Sequence, residues 1–243
     1  TQSPSSAASD VYKRQDSIGA LLGLATFAGA LLGLLCSSLA LLLGRAFQAE
    51  KLSSADNPGA FAPIQFSAAY QHVGAMIAGA VALAALALAL GPSLQLLLAS
   101  VFALSLLTLA LIDARLYVLP DLITLPLMWL GLLINTQEQF APVAAAVLGA
   151  IIGYLSLWTI YWLVKLLRNK EGMGYGDFKL SAAIGAWLGW QALPSVVLVA
   201  ALTALCTAAV LLLAGRLRIE QPMPFGPVLA YAGFLTMCVD QPF

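Results

Sequence analysis

The sequence has few charged residues. They make up 9% of its 243 residues, whereas hydrophobic residues make up 61%. Because a soluble domain carries about 25% charged residues, this composition excludes an ordinary soluble protein and indicates an integral membrane protein. Lys plus Arg and Asp plus Glu are equal in number, so the formal net charge is zero. Without a positive excess, no nucleic-acid partner is expected.

Metal-ligating residues are also scarce. The three cysteines, Cys36, Cys206 and Cys238, lie far apart and form no CxxC pair, and His72 is the one histidine. A zinc site and a disulfide framework both need closely spaced or paired ligands. We therefore predict no metal site and read these residues as packed or interfacial.

The apolar residues form runs that are separated by turn signals such as "GPS", "LPD" and "NTQEQFAP". A transmembrane helix needs about 20 mostly apolar residues, and most of the runs reach that length. The fourth, sixth and eighth runs are shorter. The sequence thus predicts an all-α fold, a polytopic membrane helix bundle of about eight transmembrane helices: 18–43, 69–90, 93–112, 121–134, 143–167, 178–193, 196–214 and 227–239.

The first fifteen residues, "TQSPSSAASDVYKRQ", are polar and lack an initiator Met. They resemble a translated cloning adapter, so we set 1–15 aside as a non-native segment. We expect 16–100 to form an N-terminal membrane region and 101–243 a second membrane domain.

The basic residues support the count of eight. Outside 1–15, the even-numbered connections carry no Lys or Arg, and every Lys and Arg lies at or beside an odd-numbered connection: Arg45, Lys51, Arg115, Lys165, Arg168, Lys170, Lys179, Arg216 and Arg218. Since Lys and Arg mark the cytoplasmic side, both chain ends are predicted outside and the odd-numbered connections in the cytoplasm.

Three aspartates fall at this predicted cytoplasmic face. Asp113 and Asp177 lie at matching depth on separate helices, which suggests an acid/base pair, because charged residues near the membrane are costly and usually functional. Asp121 follows Pro120 at a helix start, where a capping or supporting role is favoured; capping remains open for Asp177 too. Asp113 ends a helix, where the helix dipole disfavours a negative charge, so a functional role is favoured there.

The stretch "GMGYGDFKL", residues 172–180, precedes the sixth run. Gly174 and Gly176 permit positive φ and a close approach of another backbone, and their spacing matches no phosphate-binding motif. A flexible approach for an extended peptide to Asp177 is favoured over a plain linker. For Lys179, topology and headgroup anchoring are favoured over substrate selection.

These residues also carry a family resemblance. "GYGDFKL" contains GxGD, and together with "LIDARLYVLPDLITLPLMWLGLLIN" (111–135) and "PMPFGPVLAYAGF" it resembles the type IV prepilin peptidases, which are GxGD-type membrane aspartyl proteases. The resemblance implies that Asp113 and Asp177 are catalytic and that Asp121 is not. It implies an endopeptidase of the bacterial inner membrane that needs no cofactor. Its activated water would remove the short basic leader of a prepilin or type II secretion pseudopilin at the cytoplasmic face.

The N-terminal region departs from that family. Bifunctional relatives carry cysteine pairs there that are tied to zinc and to N-methylation with S-adenosylmethionine, and 16–100 lacks them. Zinc is therefore not expected, and methyltransferase activity, with its need for S-adenosylmethionine, is in doubt. A presenilin-like GxGD protease and, in a different class, a proton-coupled transporter stay open as alternatives.

Overall fold

A computed structural model describes the backbone of residues 4–54, 68–168, 174–213 and 224–239, and the side chains of 17–46, 72–167, 174–213 and 224–239. Across these ranges the chain is helical and contains no strand, which confirms the all-α prediction. The helices are α1 Pro4–Ser54, α2 Ala68–Leu90, α3 Leu94–Leu116, α4 Asp121–Asn135, α5 Val143–Arg168, α6 Tyr175–Leu188, α7 Leu193–Leu213 and α8 Gly226–Val239, with a 3₁₀ turn at Trp190–Ala192.

Helix length divides the bundle into two classes. Five segments in the described ranges are long and apolar enough to cross a membrane: Ser17–Ala46, His72–Leu90, Leu94–Leu116, Val143–Leu167 and Trp190–Leu213. By contrast, α4, α6 and α8 have 15, 14 and 14 residues. At 1.5 Å per residue these helices are about 21–23 Å long, shorter than a hydrocarbon core of about 30 Å. The chain is a multi-pass membrane protein in which three helices are short, as predicted.

Two helix pairs pack backbone to backbone at small residues. A Cβ on Gly149 of α5 would strike the carbonyl of Gly185 in α6, and a Cβ on Gly153 would lie 2.6 Å from the carbonyl oxygen of Ser181. On the other side of the bundle, a Cβ on Gly29 of α1 would strike Gly79 of α2. Small residues let helices approach closely in lipid, and the α5–α6 pair fixes the helix that carries Asp177.

Asn135, the last residue of α4, joins the far ends of α4 and α6. Its amide Nδ2 donates to the carbonyls of Ala186 and Trp187 at 2.9 Å each. Its Oδ1 accepts the backbone N–H groups of Phe140 at 3.0 Å and Ala141 at 3.1 Å. The side chain is fully buried, and four hydrogen bonds satisfy its amide completely.

One boundary predicted from the sequence does not coincide with a helix end, and some residues named in the sequence analysis lie outside the described ranges. Helix α1 begins at Pro4, so it continues through the segment 1–15 that was set aside, and no helix ends at that boundary. Gly172 and the basic residues Lys170, Arg216 and Arg218 lie outside the described residues.

Candidate active site

Asp113 lies in the last turn of α3, and its side chain is 5% exposed. The helix ends at Leu116 because Tyr117 turns into the left-handed region, with φ 55°, while its N–H donates to the Asp113 carbonyl at 2.9 Å. The Asp113 carboxylate itself accepts one backbone N–H, that of Gly226, through Oδ2 at 2.9 Å. Asp113 is therefore held between the end of α3 and the start of α8.

Gly226 is the first residue of α8, so the positive end of that helix dipole faces Asp113. This contact offsets the unfavourable position of the carboxylate at the end of α3. A Cβ on Gly226 would lie 2.6 Å from Oδ2 of Asp113. No residue larger than glycine fits there without moving the carboxylate.

Asp177 occupies the first turn of α6 and is 6% exposed. Its Oδ2 accepts the N–H of Gly174 at 3.2 Å, which satisfies one of the free donors at the helix start. The capping role left open for Asp177 is thus confirmed, and each of the two buried carboxylates accepts one backbone N–H through one oxygen.

Of the two glycines beside Asp177, only Gly176 is required by its small size. Gly174 has φ −79° and ψ 148°, an ordinary extended conformation, and Gly176 lies inside α6, so neither uses the positive φ that glycine permits. Gly176 does allow a close approach, because a Cβ there would lie 2.7 Å from Cβ of Leu119. Leu119 belongs to the connection between α3 and α4, so this contact brings the start of α6 against the chain that follows Asp113.

The two aspartates occupy the same level of the bundle. The rings of Phe102 on α3 and Trp187 on α6 are in tilted contact, with centroids 4.8 Å apart. From that contact, α3 runs eleven residues to Asp113 and α6 runs back ten residues to Asp177, about 16 and 15 Å along the helices. The close approach of Gly176 to Leu119 also places the start of α6 beside the chain that follows Asp113. Asp113 and Asp177, 64 residues apart in the sequence, therefore lie at the same end of the bundle.

Asp121 has a different environment. The cap position of α4 is Pro120, which makes no side-chain cap, and Asp121 instead pairs with Lys179 of α6, with Nζ 2.6 Å from Oδ1 and 2.7 Å from Oδ2. The expectation of a capping side chain is wrong, because a cation 58 residues away competes for the carboxylate. Asp121 is half-exposed, and its pairing leaves it as a support between α4 and α6.

Two residues at this site and its far end escaped the sequence-based reasoning. In the sequence, Gly226 stands only within "PMPFGPVLAYAGF" and Asn135 only at the start of the turn signal "NTQEQFAP". Two features of the sequence could have pointed to them: Gly226 is a glycine at the start of a predicted helix, and Asn135 is an amide that follows a run of apolar residues. Within the described side chains, no three His, Cys, Asp or Glu residues come close enough to hold a metal ion.

Comparison with known protein families identifies the part of the chain that contains Asp113 and Asp177. Residues 100–209 match the type IV leader peptidase family. The chain carries a type IV leader peptidase domain. Both Asp113 and Asp177 lie within it, whereas Gly226 follows the matched residues.

Two relatives that match this leader peptidase domain carry the same name. The chain is 52% identical over 168 residues to a prepilin leader peptidase/N-methyltransferase of Burkholderia pseudomallei (strain 1026b), covering 69% of this chain and 54% of that protein. A protein of the same name from Dickeya chrysanthemi is 53% identical over 131 residues, 54% of this chain and 46% of the relative. The chain thus spans about half the length of the relatives it matches. No solved structure matches it.

Proposed function

We propose that this protein is a membrane aspartyl endopeptidase that removes the leader of prepilins or pseudopilins. The observation that carries the proposal is the pair Asp113 and Asp177. Both carboxylates are buried at one level of the bundle, and each is oriented by a single backbone N–H on Oδ2. This arrangement leaves one oxygen of each carboxylate for a reactant.

The chemistry follows from the repulsion between two neighbouring carboxylates. Two such groups in a shared site hold one proton between them, because both cannot ionise together. The ionised member removes a proton from water, and the water oxygen attacks the scissile carbonyl carbon. The protonated member donates a hydrogen bond to the developing oxyanion, and a proton reaches the departing amine as the C–N bond breaks. Asp113 and Asp177 carry these two roles.

The substrate class comes from the relatives and from the position of the site. Prepilin leader peptidases are named for prepilins, and the basic leader of such a precursor precedes an apolar helix. Asp113 lies at the end of a long apolar helix and Asp177 at the beginning of a short one. A bond at the boundary between a polar leader and an apolar helix fits that depth.

The basic residues assign the side of the membrane. The predicted spans place every Lys and Arg beyond residue 15 at the end of the bundle that holds the aspartates. Because Lys and Arg favour the cytoplasmic side, we assign the site to the cytoplasmic face of the bacterial inner membrane. The two carboxylates activate water without a cofactor, so EDTA should leave the cleavage rate unchanged.

Co-expression with a prepilin tests the assignment. We expect the intact chain to shorten the prepilin by its leader, measured by the mass of the product. Asp113→Asn and Asp177→Asn keep the size of each side chain and should each abolish cleavage. Asp121→Asn is the matched control: the same substitution near the same end of the bundle, at a paired aspartate, which should leave cleavage intact.

Processing by either of the first two variants at the wild-type rate would refute the catalytic pair. Loss of cleavage in all three variants, with normal amounts of protein in the membrane, would also count against it, because Asp121 would then share the role. The mass of the product also reports whether the leader is cut ahead of the apolar helix.

A further inference from the structure

Ser181 of α6 has an unusual hydroxyl. The side chain is fully buried, and its Oγ has no hydrogen-bond partner among the described residues. Several other helical hydroxyls donate to the carbonyl four residues earlier, as Ser100 does at 2.6 Å and Thr203 at 2.7 Å. The equivalent acceptor for Ser181 is the carbonyl of Asp177, and Ser181 does not use it. A buried polar group without a partner is costly, so its retention calls for an explanation.

The position of Ser181 on α6 relates it to the catalytic pair. Residues four apart on a helix are neighbours on one face, with Cβ atoms about 5–6 Å apart, and helical side chains lean toward the N-terminus. Ser181 therefore leans toward the turn that holds Asp177.

The same face of α6 continues to Ile184, whose side chain would contact a Cβ placed on Gly233 of α8. Seven residues separate Asp177 from Ile184, and seven separate Gly226 from Gly233. The two helices run side by side in this interval, and Ser181 lies between the level of the Asp113–Gly226 hydrogen bond and the level of Ile184.

We propose that Ser181 is a positioning residue for Asp177. Its hydroxyl donates to Oδ1, the oxygen that the hydrogen bond from Gly174 leaves free, after a rotation about the Cα–Cβ bond of Ser181. With Gly174 on Oδ2 and Ser181 on one lone pair of Oδ1, the carboxylate is fixed in orientation, and the second lone pair of Oδ1 stays available to the attacking water. This inference rests on the proposed peptidase function and adds a residue to its machinery.

Steady-state cleavage of a purified prepilin by the purified full chain tests the inference. Ser181→Ala should lower kcat about tenfold, as expected for the loss of a hydrogen bond to a charged group, and leave KM unchanged. Its melting temperature should stay equal or rise, because the variant loses a polar group that is unpaired in the resting structure. Ser181→Cys, with a weak donor of similar size, should recover part of kcat.

Thr203→Ala is the control, because it removes a helical hydroxyl on α7 that bonds its own helix; its kcat should equal that of the wild type. The inference would be overturned if Ser181→Ala kept the wild-type kcat, or if its kcat and melting temperature fell together. It would also be overturned if Ser181→Cys were no faster than Ser181→Ala. Asp177→Asn in the same assay separates the two proposals. If the wild type is inactive, the peptidase function is refuted. If the wild type is active, Asp177→Asn is inactive and Ser181→Ala is fully active, only the role of Ser181 is refuted.

Discussion

The backbone N–H of Gly226 donates to Oδ2 of Asp113 at 2.9 Å and joins residues 113 positions apart. The last helix of the bundle thereby supplies the group that orients an aspartate on the third. Its dipole supports a carboxylate that α3 alone would disfavour. The immediate surroundings of Asp113 are therefore complete only when α8 has docked.

Gly226→Ala tests this relationship. The added Cβ would lie 2.6 Å from Oδ2 and 2.9 Å from Cγ of Asp113, so the carboxylate must shift or the start of α8 must move away. Because a displacement of about 1 Å in a catalytic group costs on the order of a hundredfold in rate, we expect a loss of cleavage of that size. The measurement is kcat/KM on a purified prepilin.

Gly233→Ala provides the control on the same helix. Its Cβ would meet the side chain of Ile184 at 2.9 Å, a flexible apolar neighbour. This variant should lose stability while keeping most of its activity. Equal activity in the two variants would show that the contact with Asp113 does not matter.

The pair Asp121–Lys179 should contribute little to stability. Its side chains are 54% and 32% exposed, and exposed ion pairs are worth at most about 1 kcal/mol. Asp121→Asn should therefore lower the melting temperature slightly, and less at high salt, since salt screens exposed charges.

The exchanged pair Asp121→Lys with Lys179→Asp should restore the loss. Melting curves at two salt concentrations measure both effects. A large, salt-independent loss would mean that the pair has a role beyond bridging α4 and α6.

Much of the fold follows from local sequence signals. Apolar runs and the alternating placement of Lys and Arg suffice for eight helices, and the position of Asp113 at a helix end marks it as exceptional. The partner of Asp121 was beyond such reasoning, because Lys179 reaches it only after α4 and α6 have packed. The role of Gly226 could not be predicted for the same reason. It matters because it has no Cβ, which leaves room for the Asp113 carboxylate on another helix.

Asn135→Ala should strongly destabilise the protein. The substitution removes four hydrogen bonds at a fully buried position and leaves the N–H groups of Phe140 and Ala141 without an acceptor. Each buried group left unpaired costs about 1–3 kcal/mol, so we expect a loss of about 3 kcal/mol or more in the free energy of unfolding.

Thr136→Ala, at the neighbouring exposed position, is the control and should cost less than about 0.5 kcal/mol. Chemical denaturation of the purified protein in detergent compares the two variants. Equal losses would argue against a special role for the Asn135 network.

Gly149→Ala should separate α5 from α6. Its Cβ would overlap the carbonyl of Gly185, a backbone group that cannot move aside. We expect a reduced melting temperature together with reduced cleavage, because α6 carries Asp177. Gly74→Ala is the matched control: its Cβ meets nothing within 4 Å, and alanine favours a helix by about 1 kcal/mol over glycine. A Gly149 variant as stable as the Gly74 variant would contradict the close packing.

The unequal lengths of α5 and α6 shape the approach to the aspartates. The rings of Tyr161 and Tyr175 lie 5.5 Å apart at the start of α6, yet α5 continues to Arg168, about 10 Å farther along its axis. The last two turns of α5 therefore extend past the start of α6, the helix that carries Asp177. An extended chain advances about 3.3 Å per residue, so under the proposed function some three residues of a substrate could lie along those turns. A substrate that meets both these turns and the carboxylates must be extended over that length, so we expect precursors that are unstructured at the cleavage point to be preferred.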